Sequence, residues 1–440
     1  MTNGSESRET HRIHADATKD FFVNMITRDI SLRDCIFDLL DNSIDGARRF
    51  ADASNSFENY TIKLKFSSKM FEISDNCGGI RLSDAIDYAF HFGRRPGSPA
   101  DVKGGIGLYG IGMKRAIFKI GRVCNVHSEA EDATFKVHVD VDQWKGDESW
   151  DFYYEDAAPT GTKGTRIVIE RLNEGVSNML GDPGFRNELI KDIARDYAFF
   201  IQKGIRIVVG NDDVPSYKFQ LRASDSISPS VEEYADGQVR VRILAGLVDD
   251  LPDDIPDELR PGKVERFGWF VICNDRIVLA ADKTDRTIWG DDEYQVWHPQ
   301  YNGFAGFLFF QAEDQRALPW TTTKRDLDAS SPLYRRAVAR MKAVTLPFIK
   351  YTNERKLDLK AAKQAETPSS HFDLSELVHT QSLRLPTVST GVRPDQVTIS
   401  FRKPKTEVEE IRRHVGNITL SAKDVGALAF DYYMSAELGK

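Results

Sequence analysis

Asp38, Asp41, Asn42 and Asp45 share one stripe of the segment 31–50, SLRDCIFDLLDNSIDGARRF. Read at about 100° per residue, they fall within an arc about 100° wide. Ile36, Leu39, Leu40, Ile44 and Ala47 fill the opposite side. Three carboxylates and one amide, with no basic residue among them, decorate a helix face badly because like charges four apart repel. A hard divalent cation such as Mg²⁺ would relieve that repulsion, since it takes oxygen ligands and usually keeps phosphates and waters as its others. A solvated acidic face is the competing reading, and for one helix alone it is the better one.

Three later stretches shift the balance. In 71–80, FEISDNCGGI, Asp75 closes an expected strand and is followed by Gly78 and Gly79, an acceptor beside backbone that can be approached closely. A plain turn uses the same residue types. In 104–121, GGIGLYGIGMKRAIFKIG, a glycine run leads into a helical pattern from Met113. Glycines entering a helix N-terminus offer N–H groups and a positive dipole end to a phosphate. A dinucleotide fingerprint is formally present from Gly105 to Gly110, but it follows the loop-like RRPGSPADVK rather than a strand. No P-loop is present, because Lys114 does not directly follow Gly112. The stretch of about 93–112 reads instead as a lid. In 161–172, GTKGTRIVIERL, a Gly-Thr enters an alternating strand.

In order, Asp38-x-x-x-Asn42-x-x-Asp45, Asp75-x-x-Gly78-Gly79, Gly107-x-x-Gly110-x-Gly112-x-Lys114 and Gly164-Thr165 resemble the Bergerat-fold (GHKL) ATPases. These include gyrase B subunits, ninety-kilodalton heat-shock chaperones, sensor histidine kinases, MutL proteins and MORC proteins. GLYGIGMK is most similar to a MORC-like or chaperone-like member. The resemblance implies ATP and Mg²⁺ as cofactors. It makes Asn42 the Mg²⁺ ligand and Asp75 the acceptor for the adenine amino group, with Thr165 helping to hold the base through water. Gly79 would let the base approach and Ile80 would wall it. Gly107, Gly110 and Gly112 would wrap the phosphates, with Tyr109, Ile111, Met113 and Lys114 in the same stretch and Asp45 on the helix beside it. Asp38 takes the position of a glutamate that orients the attacking water.

Two departures stand out. Asp38 is one methylene shorter than that glutamate, and Cys77 replaces the first glycine of the pattern. A nucleotide-gated binding module with little or no turnover is therefore the alternative to a hydrolase.

These residues need a scaffold. Ser31 is a natural N-cap for the helix over 31–50, and a helix over 17–28 precedes it. Strands are expected over 60–66, 70–73, 122–127, 134–141, 151–154 and 164–170. That order suits an α+β sandwich with nucleotide between helices and lid, spanning 1–180. A mixed α/β transducer-like domain is expected over 181–350. It begins with one helix over 185–203 and continues with strands over 204–209, 217–223, 238–245, 267–273, 276–280 and 303–311, then a helix over 333–342. Asn274-Asp275 reads as a hairpin turn. In 318–328, LPWTTTKRDLD, Lys324 stands where the resemblance implies a lysine that reaches the γ-phosphate, with Arg325 a lesser candidate. A positive point charge there stabilises the transferring phosphoryl group. A surface lysine in a threonine-rich loop is the plain alternative. Residues 351–440 carry no motif and read as a small interaction or dimerisation segment, with helices over 406–415 and 421–438 and a strand over 396–402.

Composition narrows the partners. A net charge of −8 gives no global attraction to nucleic acid or an anionic membrane. Four cysteines without a CxxC pair point to reduced thiols in the cytoplasm and away from structural zinc. No apolar run reaches the length of a membrane span. The leading expectation is a slow Mg²⁺-dependent ATPase, a clamp that forms a homodimer on ATP and couples γ-phosphate sensing to a protein or DNA target.

Overall fold

The computed structural model describes residues 17–51, 56–93, 103–107, 110–249, 251, 264–290, 294–321, 324, 326–366, 369–387 and 399–439. The chain divides into two compact units, Met1–Val388 and Ser389–Lys440.

The first unit opens with α1 (Lys19–Arg28) and α2 (Leu32–Phe50), the latter capped by the Ser31 hydroxyl, which accepts from the Asp34 amide. The hairpin β1 (Thr61–Phe66) and β2 (Met70–Asp75) sets Ile62 opposite Asp75, so the strand ends on that carboxylate. A short α3 (Leu82–Asp84) continues as a π-turn over Ala85–Ala89. Then come α4 (Gly112–Ile120), β3 (Gly121–Glu129), β4 (Thr134–Asp140), α5 (Val141–Gly146), β5 (Tyr154–Asp156) and β6 (Gly164–Leu172). They are followed by α6 (Glu174–Leu180), α7 (Pro183–Asp196), α8 (Ala198–Gln202), β7 (Arg206–Val209) and β8 (Asp212–Asp213).

The eight strands form one sheet in the order β5-β4-β3-β6-β2-β1-β7-β8. Its pairs are antiparallel except β1 with β7. Ile36, Leu39, Leu40 and Ile44 of α2 share one buried core with Ile62, Leu64, Phe71 and Ile73 of the hairpin. This burial fixes the helix's rotation, and so the direction of its polar stripe. The boundary expected near 180 falls inside the sheet's run: β7 pairs with β1, Ile207 opposite Ile62, and covers an edge that would otherwise be unpaired. The helix expected over 185–203 is two helices, broken at Tyr197 (φ −109°, ψ 15°).

Next come β9 (Gln220–Ala223), β10 (Ser230–Asp236), β11 (Val239–Leu247), β12 (Gly268–Cys273), β13 (Arg276–Asp282) and β14 (Phe304–Gln311). The order β10-β11-β14-β12-β13 makes a mixed five-stranded sheet, with β12 and β14 parallel. β12 is buried along its whole length and β14 over all but Gln311, as suits apolar strands covered on both faces. Asn274 and Asp275 (φ 47° and 70°) are both left-handed, which the tight β12–β13 turn requires. Sequence reasoning did not foresee β10.

α9 (Pro332–Arg355) runs far beyond the helix expected there, and α10 (Leu359–Glu366) follows. β15 (Ser370–Asp373) folds back to pair with β9, so part of the stretch expected as a separate terminal segment belongs to the first unit.

The second unit contains α11 (Lys405–His414) and α12 (Ala422–Leu438), the latter capped by Ser421. The strand expected over 396–402 is absent at 399–402, where the chain leads into α11 through its cap Pro404; residues 396–398 lie outside the described residues. Among the described residues, no helix is long and apolar enough to cross a membrane.

Candidate functional site

Along α2, Asp38, Asp41 and Asp45 are buried while Asn42 is exposed. The expected repulsion is relieved by basic side chains, so neither a solvated acidic face nor a bound cation is needed to explain these carboxylates. Arg115 of α4 places Nε 3.1 Å from Oδ2 of Asp38, and its Nη2 donates to the same oxygen. Lys324 Nζ lies 2.8 Å from Oδ2 of Asp41 and 3.8 Å from Oδ1 of Asp38. Oδ1 of Asp41 accepts from the Tyr197 hydroxyl at 2.9 Å and faces Nε of Arg276 at 3.4 Å. The helix break at Tyr197 thus delivers a donor to α2. Asp45 accepts from the amides of Ile106 (2.8 Å) and Gly107 (2.6 Å).

The charges follow from these contacts. Burial pushes Asp41 up, but Lys324 and Arg276 outweigh it and hold the carboxyl below its usual range. Burial likewise works against the Lys324 ammonium, and Asp41 and Asp38 overcome it, so that Lys324 stays protonated. At Asp38 burial prevails over Lys324 and Arg115 and raises the carboxyl, which makes it a better proton acceptor.

Asp75 meets α2 midway along it, at Ser43, directly beside Asn42. Its Oδ1 accepts from the amides of Cys77 (2.9 Å) and Thr165 (3.1 Å), and its Oδ2 from the Ser43 hydroxyl (2.7 Å). A carboxylate has about four acceptor positions, so one remains for a further donor. Thr165 therefore holds Asp75 directly, through its backbone amide. Ser43 is a partner that sequence reasoning missed, although it directly follows Asn42. Burial raises the Asp75 carboxyl against these three hydrogen bonds.

Gly79 (φ 71°) has a reason of its own to be glycine: a Cβ there would overlap the carbonyl oxygen of Glu129. The amide of Ile80 bonds the Ser128 hydroxyl at 2.7 Å, and its half-buried side chain packs on the core. Cys77 is buried beneath α2, its carbonyl oxygen 2.8 Å from where a Cβ at Gly46 would stand.

Gly107 and Gly112 lie against the polar stripe. A Cβ at Gly107 would stand 2.9 Å from Oδ2 of Asp45 and 3.7 Å from Oδ1 of Asn42; one at Gly112 would stand 3.1 Å from Cγ of Asp38. Gly110 adopts φ 64°. Ile111 is the N-cap position of α4, and Met113 is buried in its first turn. Lys114 is buried too: its Nζ donates to the carbonyls of Ala89 (2.8 Å) and Gly110. It ties the end of the glycine stretch to the π-turn, and burial lowers its pKa to about 7. Tyr109, Arg325 and lid residues 94–102 and 108 lie outside the described residues. Among the described residues the side-chain carboxamide of Asn42 has no hydrogen-bond partner.

The five-stranded sheet reaches the start of the glycine stretch. The Gly104 amide donates to Glu313 O (3.0 Å), Asn274 Nδ2 to Gly105 O (3.2 Å) and Gln315 Nε2 to Gly107 O (2.6 Å). Asn274 was legible only as a turn residue, and nothing in the sequence marked Gln315.

Residues 30–169 match the family of histidine kinase-, DNA gyrase B-, and HSP90-like ATPases. This part of the chain is a Bergerat-fold ATPase domain, of a class that binds ATP. No curated protein matches the chain. The residues fit ATP with Mg²⁺: an exposed amide oxygen at Asn42, an open acceptor position on Asp75, and glycine backbone at 107 and 112 packed close to Asp45 and Asp38.

Proposed function

We propose that the chain is a Mg²⁺-dependent ATPase working as a clamp, in which ATP binding over α2 is sensed by Lys324. One observation carries the reading: Lys324, contributed from beyond the five-stranded sheet, lies buried on α2 between Asp41 and Asp38. Asp75 accepts from the adenine amino group, and Gly107, Gly110 and Gly112 line the phosphates with Asp45 holding Gly107 in place. Asn42 would hold Mg²⁺, which when bound would supply charge neutralisation at the phosphates. Asp38 orients water through Oδ1, since Oδ2 is taken by Arg115. Lys324 brings its charge to the γ-phosphate.

The hydrogen bonds that Asn274 and Gln315 donate to 105 and 107, and that the Gly104 amide donates to Glu313, support coupling between the second sheet and the lid. Two copies meet when ATP is bound, in the manner of a MORC-like or chaperone-like clamp, and act on a protein or DNA target. Four buried free cysteines support a reducing, cytoplasmic setting. The test is the protein's size in solution with ADP and with a non-hydrolysable ATP analogue. A dimer formed only with the analogue supports the clamp, and one size under both conditions contradicts it.

A second reading, a nucleotide-gated module with little turnover, draws on the tight hold of Arg115 on Asp38. Phosphate release measured beside binding separates the two.

A further inference from the structure

Two buried carboxylates of α2, Asp38 and Asp41, are met by three cations, Arg115, Arg276 and Lys324. The cations are not equivalent. If Arg115 withdrew, Asp38 would keep only Lys324 at 3.8 Å. If Lys324 withdrew, Asp38 would keep Arg115, and Asp41 would keep the Tyr197 hydroxyl at 2.9 Å and Arg276 at 3.4 Å. Lys324 can therefore depart without stranding a buried carboxylate, and stranding one is the costly event in breaking a buried pair. Arg276 is tied down further, with Nη1 3.5 Å from Oδ2 of Asp196 and 2.9 Å from the Ile277 carbonyl. The backbone of Lys324 adds a second sign. Lys324 has φ 55°, a left-handed conformation that a side chain disfavours and that persists only where surroundings impose it.

We propose that Asp41 is the resting partner of Lys324 and competes with the γ-phosphate for it, so that Asp41 sets how strongly the site prefers ATP to ADP. The inference rests on the ATP reading above and deepens it. In the resting arrangement Nζ of Lys324 is held 2.8 Å from Oδ2 of Asp41, deep on α2. A γ-phosphate beside Asn42 and Gly107 offers a more highly charged acceptor, and Lys324 transfers to it from Asp41. ADP has no such group and leaves the Lys324–Asp41 pair closed. Part of the ATP binding energy is thus spent on opening the pair, while ADP binding is untouched. Asp41 is a positioning residue in this scheme and contacts neither nucleotide.

The test compares dissociation constants for ADP and a non-hydrolysable ATP analogue, both with Mg²⁺, in wild type, Asp41→Asn and Lys324→Ala, and in the double variant. Asp41→Ser, which also removes the charge and keeps a hydroxyl near Tyr197, replaces Asp41→Asn if the latter folds poorly. Loss of the carboxylate should favour the analogue over ADP by about tenfold or more, and the shift should vanish in the Lys324→Ala background, as a pairwise coupling requires. A purely structural role for Asp41 would move both affinities together. An unchanged ratio, or the same shift without Lys324, overturns the competition while leaving the ATP site standing. A wild type that binds neither nucleotide overturns both.

Discussion

Arg115 directs Nε and Nη2 at one oxygen of Asp38, Oδ2, and so leaves Oδ1 turned toward Lys324, 3.8 Å away. A short carboxylate gripped at one oxygen presents the other in a fixed direction, which is what the orientation of a water molecule demands. The same grip explains Gly112, since a Cβ there would stand 3.1 Å from Cγ of Asp38.

Arg115→Met, similar in length but uncharged, leaves Asp38 without its strongest partner in a buried site. Stability should fall by about 3–5 kcal/mol, the usual cost of breaking a buried ion pair from one side. Asp38→Asn in the same background should recover much of that loss. Urea midpoints for the two variants and wild type check both statements.

Asp75→Asn keeps the shape of the side chain but can turn an NH₂ toward the donors of Cys77, Thr165 and Ser43, or toward the base. Affinity for ATP should drop by more than about 1.4 kcal/mol, a factor of ten. Calorimetric titration of the variant reads this directly, and equal affinity to wild type would remove Asp75 from base recognition.

Lys114 makes stability depend on pH. Its ordinary pKa of 10.5 is lowered to about 7 in the fold. Between those values the unfolded chain binds a proton that the folded chain does not, so stability rises with pH across the window. The cost of burying the charge is fully present below about pH 7 and is relieved toward pH 10.5. Lys114→Met should remove this slope, at most about 1.4 kcal/mol per pH unit. Denaturation of both proteins at pH 7, 8 and 9 gives the comparison.

Gly79→Ala should destabilise the protein with or without nucleotide. The new methyl group meets the carbonyl of Glu129, and φ 71° disfavours a side chain; together these cost about 2 kcal/mol or more. A melting-temperature drop of equal size with and without ATP is the expected result.

Much of the scaffold could be read from local pattern. The Ser31 cap, the helical period of α2, the strand ending at Asp75 and the Asn274-Asp275 turn are each set by residues within a few positions. The partners of the polar stripe could not be read this way. Arg115, Arg276 and Lys324 stand 77, 235 and 283 residues from the carboxylates they meet, so only the folded chain brings them together. The repulsion on α2 was visible and its remedy was not, and a bound cation was the nearest local substitute. Tyr197 was hidden because the apolar period continues through it, although the helix stops there to direct a hydroxyl at Asp41. Lys324 was singled out by resemblance as a lysine for the γ-phosphate, and its pairing with Asp41 was not foreseen.

The central claim is that Asp38 and Lys324 act together on ATP bound over α2. Steady-state phosphate release from wild type, Asp38→Ala and Lys324→Ala, with ATP affinity measured on the same samples, tests it most directly. Wild type should release phosphate only with Mg²⁺, and each variant should still bind ATP while its kcat falls by about 10²-fold or more. Equal rates in all three proteins, or a wild type that does not bind ATP, would contradict the account.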